Sequence, residues 1–176
     1  MGKAVLISIR PEWCYLIAIG QKLLELRKRI PNIPAPYHAY IYCTKGKTLY
    51  RSQYDGEIRL YHKAASHAFD HHAVFNGKVW SEFICDWTDQ YYPCDWGLAA
   101  SAACVSMDDI GKYLDGNANI NGMHISNLTI YDKPKELSAF WSWQPSVEWI
   151  DGYPMPTHLI KRAPQSFMYV EELADG

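Results

Sequence analysis

Three ionisable residues in one short run carry chemistry: Lys22, Glu25 and Arg27, in the pattern Gly20-x-Lys22-x-x-Glu25-x-Arg27. Side chains of an extended strand alternate, so Leu24 and Leu26 face one way and Glu25 and Arg27 the other. A sheet buries its apolar side, which aims the acid and the cation together at a cleft or at water. Arg27 offers a fork of donors suited to phosphate or carbonyl oxygens, and Lys22 adds charge. Glu25 accepts from a base amino group or orients the cations. An ordinary solvated strand face, or a salt-bridge ladder closing the barrel wall that by itself adds little stability, explains the same residues without a ligand.

Other candidates are scattered along the chain. His124 opens an apolar stretch with Ser126 beside it. A cleft-facing imidazole donates to a ligand or acts as acid or base near neutral pH; at a strand edge it is only a cap. Gln165 and Ser166 follow Pro164, where they read base edges or satisfy the backbone of a bend. Tyr42 and Trp13 offer ring faces of the kind that grip single-stranded nucleic acid, although most of the seven tryptophans are needed to fill a core. His62, His67, Asp70, His71 and His72, with Cys85, Cys94 and Cys104, supply metal-ligand chemistry without a recognised ligand spacing. No metal and no cofactor are expected.

The elements that must position these residues follow from local signals. Lys3–Ile9 reads as a partly buried strand. Pro11 suits the first turn of a helix, Trp13, Leu16 and Ile17 recur at helical spacing, and Gly20 offers a left-handed cap. The strand of residues 22–29 follows, broken by Pro31, Pro34 and Pro36. Strands are expected at 37–44, 77–92, 124–131 and 166–170, and a helix at 107–114 with Ser106 as N-cap. Residues 45–76 read as a polar excursion, partly disordered, and 141–156 as an aromatic-rich loop. Helices alternate too rarely for a doubly wound sheet. A single domain over 1–176 is expected, α+β but mostly β, built as a small antiparallel or mixed barrel with peripheral helices.

Composition limits the partners. The 176 residues are 48% hydrophobic and 14% aromatic, enough for a sizeable core. A formal charge of −2 provides no global basic field to hold nucleic acid. Any such contact is local, and residues 20–50 carry the bias: Lys22, Arg27, Lys28, Arg29, Lys45 and Lys47 stand against Glu25 alone. Five widely spaced cysteines suit reduced thiols, and neither a secretory leader nor an apolar run of membrane-spanning length is visible. A cytoplasmic protein with no membrane partner is expected.

Several pieces together resemble the activating signal cointegrator homology (ASCH) domain. They are Ser8-Ile9-Arg10-Pro11, the Gly20-x-Lys22-x-x-Glu25-x-Arg27 signature, Tyr40-Ile41-Tyr42-Cys43-Thr44, Gly77-Lys78-Val79-x-x-Glu82-Phe83, His124-Ile125-Ser126-Asn127-Leu128, and Arg162 through Val170. The resemblance implies a PUA-like barrel whose signature residues line a cleft for RNA, single-stranded nucleic acid or a nucleotide. Some relatives are amidohydrolases of acylated cytidine, and ribonuclease activity occurs in the family. The amidohydrolase pattern has a threonine where this chain has Glu25, which removes the hydroxyl nucleophile and favours binding. Two alternatives stand beside it: a hydrolase using Glu25, Lys22 or His124, and a protein-interaction module using the aromatic loop.

Overall fold

The computed structural model describes residues 2–64, 69–117, 119–143, 149–150, 153–154 and 159–173. Strand β1 (Lys3–Ile9) is buried over nearly its whole length. Pro11 opens α1 (Pro11–Ala18), where a missing N–H costs no hydrogen bond. Gly20, at φ +72°, closes it. Its N–H donates to the Ile17 carbonyl at 3.0 Å and that of Gln21 to the Leu16 carbonyl at 2.9 Å, the Schellman pattern. That reversal delivers β2 (Leu24–Arg27), followed by β3 (Tyr37–Cys43), β4 (Thr48–Arg51), β5 (Ile58–Tyr61), β6 (Ala73–Val74), β7 (Val79–Cys85) and β8 (Thr88–Tyr91). Two helices come next, α2 (Trp96–Ala103) and α3 (Met107–Leu114). The chain then forms β9 (Ile120–His124), β10 (Ser126–Lys135), the short pair β11 (Trp149–Ile150) and β12 (Tyr153–Pro154), and β13 (Phe167–Glu171).

The main sheet has the order β10-β7-β3-β1-β13, with β1 and β3 parallel and the other neighbours antiparallel. Alternation along β1 sorts its side chains between two cores. Val5, Ile7 and Ile9 join Ile41, Phe83 and the α1 residues Cys14 and Ile17; Ala4 and Leu6 join Tyr40, Phe140 and Val170. A second, antiparallel sheet has the order β2-β9-β8. Among the described residues no helix is long and apolar enough to cross a membrane.

The two sheets meet in two different ways. On one side β7 continues into β8, and β9 into β10, so a single two-stranded ribbon belongs to both sheets and bends at residues 86–87 and 125. On the other side β2 forms no ladder with β1 or β13. The expected barrel is therefore not closed. β2 is only four residues long, and the Ser8 N–H at the facing edge is already taken by the Ser166 carbonyl at 3.0 Å.

Two further expectations change. The excursion at 45–76 contains a small sheet, β5-β4-β6, whose Leu49 is fully buried against α1. Thr48-Leu49-Tyr50-Arg51 and Ile58-Arg59-Leu60-Tyr61 alternate as strands do, but each is so short that only pairing fixes it. The helix α2 is missing from the sequence reading, and its Ala99 and Ala103 bury Leu24 of β2. Of the aromatic-rich loop, residues 144–148, 151–152 and 155–156 lie outside the described residues, as does His67.

Candidate functional site

A cleft of about 570 Å³ runs along the open seam. Glu25 and Arg27 of β2 form its floor, Ser8, Gln165 and Ser166 the facing edge, and Trp13 and Tyr113 its aromatic walls from α1 and α3. Its size falls within the range of small-molecule sites.

Lys22, Glu25 and Arg27 converge here as a connected network. Lys22 is 3% exposed and Glu25 6%. Lys22 Nζ lies 3.3 Å from Glu25 Oε2, and Arg27 Nε donates to Glu25 Oε1 at 2.9 Å. One acid thus stands between two cations, leaving a net positive charge on the cleft floor. Two of the three ammonium protons are committed elsewhere: Lys22 also donates to the carbonyls of Leu24 at 2.8 Å and Ala103 at 3.0 Å. The second bond places an ammonium at the C-terminal end of α2, where the helix dipole favours it. Lys22 is therefore a tether between β2 and α2 rather than a free anion ligand. A solvated strand face is ruled out by burial, because these charges are largely withdrawn from water.

Arg27 spans the seam. One terminal nitrogen, Nη2, donates to the Ser8 carbonyl at 2.6 Å, and Nη1 reaches Ser166 Oγ at 3.3 Å. Three of its five donors are thus engaged, and one N–H on each terminal nitrogen remains. The Ser8 hydroxyl donates to the Pro164 carbonyl at 2.6 Å, which pins the turn carrying Gln165 and Ser166 to β1. On the opposite wall Ser106 caps α3, accepting the Asp109 N–H at 3.0 Å. The same hydroxyl holds the Asp109 carboxyl below its ordinary range. Asp109 and Tyr113, four residues apart on α3, both reach the cleft.

His124, Ser126 and Tyr42 lie outside this cleft. His124 pairs with Leu24, so its ring projects from the face opposite Glu25. There its Nδ1 meets Asp86 Oδ1 at 2.6 Å, and Trp87 stacks on it with ring centroids 4.9 Å apart. This bond keeps the Asp86 carboxyl below its ordinary range. Ser126 Oγ donates to the Ile84 carbonyl at the ribbon bend. Tyr42 packs beside Tyr40 and Val79 on the far face of the main sheet, and burial pushes its hydroxyl pKa up. The sequence reading missed Arg10, Asp109 and Tyr113 as cleft residues. The i, i+4 spacing of Asp109 and Tyr113 on a helix was the available signal. Among the described residues no group of three or more His, Cys, Asp or Glu gathers to hold a metal.

No protein-family model matches the chain, and no curated protein does. Solved structures give the class: the fold is that of the ASCH domain. An ASCH from Zymomonas mobilis matches with a TM-score of 0.57 at 16% identity, over 96% of this chain and 88% of that one. Its Tyr→Phe and Ser→Ala variants match with TM-scores of 0.56 at 17% identity, over 96% of this chain and 91% or 89% of theirs.

Proposed function

We propose that the protein binds RNA, or a nucleotide-sized part of it, in the seam cleft. The observation that carries this reading is the floor itself: the buried Lys22 and the largely buried Arg27 share one carboxylate, and Arg27 keeps two unused N–H groups beside aromatic walls. Net positive charge attracts the phosphates, and ring faces accept bases. The ASCH-like fold is consistent with this reading.

Binding is favoured over hydrolysis by the occupancy of the ionisable groups. Both Glu25 oxygens face cations, and Lys22 is held by two main-chain carbonyls and the Glu25 carboxylate, so neither is poised to move a proton. The His124–Asp86 pair lies outside the cleft.

Fluorescence anisotropy of labelled single-stranded RNA at low and moderate salt tests the proposal. Arg10 and Tyr113 line the cleft and are exposed, so Arg10→Ala and Tyr113→Ala leave the buried network alone. Tyr113→Ala is expected to weaken binding by about five-fold or more, given roughly 1–3 kcal/mol for a base–ring stack, and Arg10→Ala to weaken it and flatten its salt dependence. Absence of binding at low salt, or binding indifferent to both changes, overturns the reading.

A further inference from the structure

The register of β2 adds a feature that side chains alone do not supply. In an antiparallel pair, alternate residues direct their main-chain groups toward the partner and away from it. The Ile125 N–H donates to the Leu23 carbonyl at 2.9 Å, which makes Leu23 and Ile125 a hydrogen-bonded pair. Two residues on, Glu25 faces Met123, and Arg27 faces Asn121 in the same phase. The His124 N–H, conversely, donates to the Trp87 carbonyl at 3.1 Å, toward β8. Leu24 and Leu26 must therefore turn their main-chain groups away from β9, to the seam.

The two behave differently there. The Leu24 carbonyl is taken by Lys22 Nζ at 2.8 Å. Among the described residues neither the N–H nor the carbonyl of Leu26 has a partner. Its side chain packs toward α2 and α3, yet the residue lines the cleft together with Glu25 and Arg27 from the other face of the strand. The free main-chain edge of β2 lies on the side where Arg27 reaches the Ser8 carbonyl and the Ser166 hydroxyl at the cleft's facing edge, and Leu26 is the residue next to Arg27 on that edge.

We infer that the free main-chain edge of Leu26 reads the hydrogen-bonding edge of a single nucleobase, with the side chains of Arg27 and Gln165 completing the set. This rests on the proposed nucleotide-binding role and specifies what the cleft recognises. The chemistry of the lining selects the class. A ligand that is only a phosphate displaces water from the Leu26 carbonyl without offering it a donor, which weakens binding. A heteroaromatic base carries donors and acceptors side by side and satisfies the N–H and the carbonyl together. Trp13 and Tyr113 offer ring faces to the same ligand. A strand-forming peptide does not fit, because one residue of free edge is too short for a ladder.

The test titrates the four ribonucleoside 5′-monophosphates and ribose 5-phosphate into 15N-labelled protein. The best-bound nucleotide is then replaced by its edge-blocked form, N3-methyl for a pyrimidine or N1-methyl for a purine. The expected result is a Leu26 amide that exchanges quickly in the free protein, shifts on binding and gains protection, with the edge methyl weakening binding ten-fold or more. Ribose 5-phosphate binding as tightly as the nucleotide, or an edge methyl without effect, overturns the inference. So does failure of every monophosphate to bind. If single-stranded RNA still binds in those cases, the proposed function stands and only the base-edge reading falls; if RNA fails too, both fall.

Discussion

The ribbon bend and the seam join the same two sheets, and they differ in what holds them. At the bend, the chain itself passes from one sheet to the other, and β8 and β9 remain laddered beyond it. The ionisable residues there, Asp86 and His124, stand at the surface with side chains 41% and 28% exposed. At the seam no main-chain ladder forms, and the Arg27 side chain does the joining, to the Ser8 carbonyl and the Ser166 hydroxyl. Its charges are buried. A sheet left unpaired in the interior exposes main-chain donors and acceptors, and the protein answers with a charged network and a cleft. Ionisable residues at the bend decorate a structure that stands without them; at the seam they are the structure.

The largest effect should come from Glu25→Gln. It leaves two buried cations with no countercharge, a loss of about 3–5 kcal/mol for a broken buried pair. At roughly 2–4 °C per kcal/mol for a chain of this size, Tm should fall by about 10 °C in calorimetry. A change below about 1 kcal/mol would mean the seam is as wet as the bend.

Gly122→Ala is expected to come next. A Cβ there would lie 2.8 Å from Leu24 Cδ1 and 2.8 Å from Tyr91 Cε2, the residues packed across β9. Overpacking of this kind costs about 1–3 kcal/mol. Denaturant titration should show a lower midpoint with an unchanged slope, and an unaltered midpoint would place Leu24 elsewhere.

A smaller loss is expected for Ser106→Ala, which removes the cap of the cleft's α3 wall and costs about 1 kcal/mol. Local hydrogen exchange should rise in α3 while the ribbon stays protected. Equal loosening of both would contradict an independent wall.

The smallest effect belongs to Asp86→Asn. An exposed pair contributes below about 1 kcal/mol. The folded carboxyl pKa is lowered by the His124 hydrogen bond, so its contribution exists above the unfolded value near 4 and fades as pH falls through the folded one. The stability gap between the native protein and Asp86→Asn should be present at pH 6 and vanish in strong acid. A gap that widens on acidification would reverse the assignment.

Local signals were the legible ones. Pro11 and Gly20 bracket α1, Ser106 caps α3, and Leu24 and Leu26 declare which side of β2 packs on a helix, all within a few residues of sequence. Lys22, Glu25 and Arg27 could be grouped because one strand carries them. Non-local facts were not legible. Placing His124 away from the cleft required the β2–β9 register, since a slip of one residue would swing it to the Glu25 face. The spent donors of Lys22 depend on the end of α2, an alanine-rich helix with no polar alternation to announce it. The open barrel depends on two strands nearly 140 residues apart failing to pair, bridged by Arg27 and Ser166.

Chemical-shift mapping with a single-stranded RNA oligomer on 15N-labelled protein is the most direct measurement. The account predicts perturbations at Leu26, Arg27, Tyr113, Gln165 and Ser166, with Asp86, Trp87 and His124 unmoved. Shifts gathered at the ribbon bend, or none along the β2 edge, would contradict it.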